Sequence, residues 1–188
     1  MAKKALVIVD MQKAFFEGTN DLPQIPKDMG RNIIQRIIRL KGESRRKQIP
    51  IIYTIDSFSP EEAPIEPHFK LFGVHGIEGE EGTNVIEEVK LESGDFLIRK
   101  LRYDAFLGTR FDFILRELGV DTLIFTGIWL DACVQHTIMG AFFRCYKTIL
   151  LEDCTTTPYE EDRVRTLEYI KKFYGTEITT SDKVISQL

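Results

Sequence analysis

Cysteine is scarce in this chain of 188 residues: there are three, Cys133, Cys145 and Cys154, with no CxxC pair among them. That spacing excludes a disulfide framework and a four-thiolate zinc site, and leaves a lone thiol free to act as a nucleophile. Basic charge is not in excess either, with 25 Lys and Arg against 29 Asp and Glu and a net charge of -4. No basic face for nucleic acid and no polybasic membrane anchor is therefore expected. The first apolar run, Ala5 to Val9, is too short for a signal-peptide core or a membrane span, and the expected location is cytoplasmic. It is followed by MQKAFFEG rather than GxGxxG, which argues against a dinucleotide-binding turn at that point. Internal repeats, low-complexity stretches and linker-like segments are also missing. With 43% apolar and 29% charged residues, 1–188 reads as a single α/β domain with a substantial core.

What is present is an alternation of strand-like and helix-like patterns. Lys4 to Val9 is an apolar β-type run closing on Asp10, Ile49 to Ile55 a second closing on Asp56, and Asp95 to Arg99 a third placing Lys100 at its end. Asp121 to Thr126, Tyr146 to Leu151 and Thr176 to Thr179 supply three more. Between them, Asp21 to Asp28 reads as a loop ending in Asp28 as N-cap of a helix whose apolar face is Ile33, Ile34, Ile37, Ile38 and Lys41. Arg110 to Leu118 reads as a helix stopped by Gly119. Thr157, Pro158 and Glu160 read as a capping box opening a helix that stops at Gly175. Ser57 to Gly94 differs in character, holding three of the seven prolines and five of the thirteen glycines, with one short helical pattern at Val85 to Val89. A segment that long with so little regular structure reads as a functional lid or binding loop. It carries His68 and His75.

Such alternation gives a doubly wound, Rossmann-like parallel sheet with helices on both faces. In the order 3-2-1-4-5-6, strands one and four meet at the switch point, where ligands bind at the strands' carboxyl ends. The stretch Gly127 to Thr137, GIWLDACVQHT, follows strand four and puts Cys133 in the first turn of a helix. There the helix N-terminus and a nearby cation ease ionisation of a thiol, which predicts that Cys133 alkylates faster than Cys145 or Cys154. Asp131 opposes this unless its carboxylate is engaged as the N-cap. Each residue also has an ordinary reading: Cys133 as a packed small hydrophobe, Asp10 as a turn cap, Lys100 as a solvated strand end, each histidine as packing. Taken together, Asp10, Lys100 and Cys133 face one crevice and suit a thiolate attacking a carbonyl while a carboxylate takes and returns the proton.

Read as VIVDMQKAFF, KLRYDAFLGT and GIWLDACVQHT, with FKLFGVHGIEGEEG in the long loop and LLEDC after strand five, the chain resembles the isochorismatase-like cysteine hydrolases, the superfamily of nicotinamidases and N-carbamoylsarcosine amidases. The resemblance covers nearly the whole chain. It implies Cys133 as nucleophile, Asp10 as proton acceptor and donor, and Lys100 as the cation between them. It also implies a cis peptide between Ile128 and Trp129, with the N–H groups of Trp129 and Cys133 as an oxyanion hole. Nicotinamidases bind a metal through an Asp and two His; Asp56 and His75 match, but Phe58 stands where the first His belongs, and His68 is the remaining candidate. No metal and no cofactor is therefore favoured. His136 is not a catalytic position in the pattern.

The cysteine points to a hydrolase cleaving the C–N bond of a small amide or carbamoyl/ureido compound, with nicotinamidase/pyrazinamidase and isochorismatase-type hydrolysis as alternatives. A redox-active thiol protein and a non-catalytic binding module are the alternatives of another class. Phe15, Tyr103, Phe106 and Trp129 are the candidate pocket residues. The expected partner is a small-molecule amide, with neither nucleic acid nor membrane, and the resemblance implies a homodimer or homotetramer.

Overall fold

Six short apolar runs become six parallel strands. The computed structural model describes residues 3–17 and 22–188, except the side chain of residue 160. The strands are β1 (Lys4–Val9), β2 (Ile51–Asp56), β3 (Phe96–Lys100), β4 (Thr122–Gly127), β5 (Lys147–Thr155) and β6 (Glu177–Thr179). They form one parallel sheet in the order β3-β2-β1-β4-β5-β6, as expected from the alternating pattern. Residues of β2 and β4 are buried throughout, because a parallel sheet is covered on both faces and its central strands need apolar residues at every position.

The period-two alternation of β1 and β4 divides the core. Ala5, Val7, Val9, Leu123 and Phe125 point to one face, where α3 (Phe111–Glu117), α4 (Gln135–Phe143) and α5 (Glu160–Tyr174) pack. Leu6, Ile8 and Ile124 point to the other, covered by α1 (Lys27–Arg46) and a terminal helix not expected from the sequence, Ser181–Ser186. The inner face of α1 is Ile33, Ile37, Leu40, Lys41 and Ser44; Ile38 is exposed. Its N-cap is Pro26, with Asp28 in the first turn, where its charge suits the helix dipole. The start of the expected loop, Asp21, lies outside the described residues.

Two further expectations change. α5 begins at Glu160 with Tyr159 as N-cap, because the Thr157 hydroxyl is already committed, donating to Asp131 Oδ1 at 2.6 Å. β5 runs on to Thr155 past a register shift, bringing its end alongside Gly127. The long loop holds only the four-residue helix α2 (Phe69–Phe72) and single 3-10 turns, one of them Glu87–Val89 where a helical pattern was read. None of the helices among the described residues is long and apolar enough to cross a membrane.

Candidate active site

The switch point between β1 and β4 is built by close backbone approach. Gly127 has φ 101°, and a Cβ there would lie 2.1 Å from the Val9 carbonyl oxygen, so only glycine lets β4 end against β1. The peptide after it, Ile128–Trp129, is cis. The chain then enters a π-helical turn, Leu130–Val134, rather than the first turn of an α-helix, and Cys133 sits in that turn, buried. The N-cap is Trp129, and the Asp131 carboxylate, which would spare the thiol its charge only as a cap, accepts from the Thr157 hydroxyl. On the neighbouring strand Asp10 takes a left-handed turn, φ 49°, which aspartate tolerates better than most residues.

Lys100 reaches the thiol by crossing a strand. It is the register partner of Asp56 at the ends of β3 and β2, and its side chain passes over β2 toward β1. Nζ lies 2.5 Å from Asp56 Oδ1, 2.7 Å from Asp10 Oδ2 and 3.2 Å from Cys133 Sγ. Asp10 Oδ1 accepts from the Thr54 hydroxyl at 2.6 Å. Gln12 clamps the neighbouring backbone: its Oε1 accepts the Asp56 N–H at 2.8 Å and its Nε2 donates to the Asp56 carbonyl at 2.9 Å. Donor atoms of Asp10, Asp56 and Cys133 all lie within 4.8 Å of one another. All four side chains are buried.

One ammonium therefore faces two carboxylates and a thiol in a buried site. Burial pushes the Cys133 thiol well above its ordinary value, the Asp10 carboxylate adds to this, and Lys100 only partly opposes it. The sequence expectation of an easily ionised thiol is corrected here: burial and a second negative charge outweigh the cation. Burial also raises the Asp10 carboxyl above the usual carboxylate range, with Lys100 opposing and Asp56 reinforcing. For Lys100 burial works to lower the ammonium, but Asp10 and Asp56 reverse this and hold it well above its usual value. The resting cluster thus pairs an ammonium with a protonated thiol and with Asp10, whose carboxyl holds its proton more tightly than an exposed one does.

The thiol opens into a small cavity whose walls include Phe15, Asp56, His68, His75, Tyr103 and Trp129. Phe15 stacks edge-on against both His75 and Trp129, with ring centres at 5.9 and 5.7 Å. The Tyr103 hydroxyl pairs with His68 Nε2 at 3.0 Å. Burial and the neighbouring His75 lower the His68 pKa, so this pair is neutral. His68 and Tyr103 also line an outer apolar depression with Leu71 and Leu101, so both residues border the two spaces. Phe106, expected in the pocket, is not among its walls; it packs against Phe111 and Tyr146 at 4.6 and 5.8 Å. His136 bonds the Ala132 carbonyl through Nδ1 at 2.7 Å and packs against Tyr103. A more open depression bordered by Lys13, Glu17, Glu80 and Glu81 contains none of the thiol cluster, and Lys13 there is paired with Glu81 at 2.6 Å.

The donors near Asp56 do not fit a metal ion. His75 Nε2 is 4.0 Å from Asp56 Oδ2, whereas a tetrahedral zinc with ligands at about 2.0–2.1 Å holds neighbouring donors about 3.3 Å apart. His68 Nε2 is taken by Tyr103, and Phe58, 1% exposed, fills its place within an aromatic cluster with Phe69 and His75. Asp10, Asp56 and Cys133 do converge, but the Lys100 ammonium already occupies the centre of that group.

Comparison with known proteins agrees with this architecture. The model of the isochorismatase domain matches residues 4–182. The chain belongs to the isochorismatase family. Among relatives of this isochorismatase-family hydrolase is the ureidoacrylate amidohydrolase RutB of Yersinia enterocolitica, 32% identical over 170 residues, covering 80% of this chain and 74% of that protein. Among solved structures, the N-carbamoylsarcosine amidase of Thermoplasma acidophilum is 30% identical with a TM-score of 0.84, covering 96% of this chain and 97% of the other. The pyrazinamidase of Pyrococcus horikoshii, solved in complex with zinc, is 27% identical with a TM-score of 0.84, covering 95% and 99%. Members of the family are hydrolases, amidases among them.

Sequence reading missed Asp56 as a member of the thiol cluster. Its signal was the shared strand-end position with Lys100, but register between β2 and β3 is a tertiary property. It also missed Thr54 and Gln12, which hold the two carboxylate-bearing segments.

Proposed function

We propose that this isochorismatase-family hydrolase cleaves the C–N bond of a small amide or carbamoyl/ureido compound through an acyl-enzyme on Cys133. The observation that carries the reading is the contact of one ammonium, Lys100, with both Asp10 and Cys133 at 2.7 and 3.2 Å, next to a small cavity that Cys133 lines. Because the thiol is protonated at rest, attack requires a base, and Asp10 is the carboxylate beside it. The Cys133 proton passes to Asp10 as Sγ bonds the carbonyl carbon, and the C=O π pair moves onto oxygen. Lys100 offsets the negative charge that accumulates as sulfur loses its proton. The N–H of Trp129, which has no acceptor among the described residues, and that of Cys133 are assigned to the oxyanion. Collapse re-forms C=O and breaks C–N, and the departing nitrogen takes the proton from Asp10. Water then attacks the thioester, giving a proton back to Asp10, and the acid leaves as Sγ recovers that proton. Asp56 holds Lys100 and transfers no proton in these steps. RutB and N-carbamoylsarcosine amidase, by their names, act on ureido and carbamoyl compounds, which supports that substrate class.

The test is ammonia release over a panel holding ureidoacrylate, N-carbamoylsarcosine, nicotinamide and simple carboxamides, with isochorismate followed separately. Turnover of an amide, with acyl mass trapped on Cys133, is the expected result. Amidase activity retained in full by Cys133→Ala overturns the scheme.

A further inference from the structure

Two side-chain atoms of cavity-lining residues have no hydrogen-bond partner among the described residues, the donor Trp129 Nε1 and His75 Nε2. His75 is carried by a loop that folds back on the end of β2, where Gly76 takes φ 67° and a Cβ added to it would lie 3.0 Å from the Asp56 carbonyl oxygen. The Phe58 N–H donates to Gly76 O at 2.8 Å and locks this return. His75 Nδ1 lies 2.9 Å from the Gly73 carbonyl, an oxygen that can only accept, so Nδ1 carries the ring proton. In the neutral ring Nε2 then presents a lone pair. That atom is buried and has no hydrogen-bond partner among the described residues, a state that calls for a ligand donor. The nearest charged oxygen is Asp56 Oδ2 at 4.0 Å, while the other Asp56 oxygen is bonded to Lys100. Both residues line the cavity that contains Cys133.

Two acceptors separated by 4.0 Å define a place for one donor atom. A nitrogen about 2.9 Å from each would see them at an angle of roughly 90°, within reach of the two hydrogens of an –NH2 group. A substituted –NHR nitrogen has a single hydrogen and leaves one acceptor facing carbon. We infer that His75 Nε2 and Asp56 Oδ2 together seat the unsubstituted –NH2 of the scissile amide or carbamoyl group, making His75 a specificity residue that selects primary amides over N-substituted ones. The inference rests on the amide-cleaving reading of Cys133.

The test uses matched pairs: nicotinamide, benzamide and N-carbamoylglycine, each against the analogue bearing one N-methyl group on the scissile nitrogen. Two quantities are measured, kcat/KM from release of ammonia or methylamine, and affinity for Cys133→Ala protein by calorimetry. The intact protein should prefer the –NH2 member at least tenfold. His75→Phe, checked by its melting temperature, should lower that preference to less than threefold, chiefly by raising KM for the primary amide. His75→Gln, whose Oε1 can stand where Nε2 stood, should restore most of it. Equal handling of both members by the unmodified protein, or a preference unchanged in His75→Phe, overturns the inference. If no amide is turned over at all, the reading of Cys133 fails, and the calorimetric comparison still decides the role of His75: equal affinities, or none, count against it. Should His75→Phe not fold, His75→Gln and the unmodified protein carry the comparison.

Discussion

Asp56 and Lys100 face each other as register partners at the ends of adjacent parallel strands, and their side chains meet at 2.5 Å. This pairing turns a lysine on an edge strand into the buried cation of the site, held between two carboxylates and a thiol. Its consequences reach both stability and chemistry.

Removing the ammonium leaves two buried carboxylates without their shared partner. Lys100→Met should cost about 3–5 kcal/mol of stability, the range for breaking a buried ion pair. Equilibrium urea unfolding at neutral pH measures this, and a loss under 1 kcal/mol would mean that the carboxylates are solvated in solution. Turnover should fall to background in the same variant even under conditions where it is folded.

The acid limb of kcat/KM should report Asp10. A base must be deprotonated to accept the thiol proton, so activity is lost as pH falls through the Asp10 pKa. Burial and Asp56 hold that value above the usual carboxylate range, which places the limb at higher pH than an exposed aspartate would give. Asp56→Asn removes a charge that raises it, so the limb should move to lower pH; a shift toward higher pH would contradict the assignment.

Cysteine labelling should run against the simple expectation for a nucleophile. Cys145 is exposed, whereas Cys133 and Cys154 are buried and burial raises both thiols. Iodoacetamide at neutral pH should therefore modify Cys145 first, as read by peptide mapping at sub-stoichiometric reagent. The same order under dilute peroxide would speak against a redox-sensing role, because such a role needs an accessible thiolate. Rapid, selective modification of Cys133 would show that the buried cluster is more open than its geometry implies.

Chelation should leave amidase activity unchanged within twofold. The spacing of Asp56 and His75, the Tyr103 bond to His68 and the Phe58 side chain together provide no tetrahedral set. Elemental analysis of purified protein together with activity after dialysis against EDTA checks this; one equivalent of tightly held zinc and loss of turnover on its removal would refute it.

Much of the architecture follows from local signals. Strand-like runs of four to seven residues alternating with helical patterns specify a parallel sheet, since each crossover is long enough for a helix and right-handed connection leaves few topologies. Strand ends are equally legible, because a charged residue after an apolar run marks the point where the chain leaves the core, and this singled out Asp10, Asp56 and Lys100. The motif GIWLDACVQHT likewise marks the thiol from composition and order alone.

What the tertiary structure alone decided is which of these groups touch and what state they are in. Register between β2 and β3 placed Asp56 on Lys100, and the fold of the long loop left His75 Nε2 unpaired while Tyr103 took His68. Helix-terminus position predicted an acidic Cys133, yet its protonation is governed by depth and by two carboxylates contributed by distant segments. Electrostatic energies depend on distance and on exclusion of water, and neither quantity is written in residue order; both exist only once strands separated by dozens of residues are laid side by side.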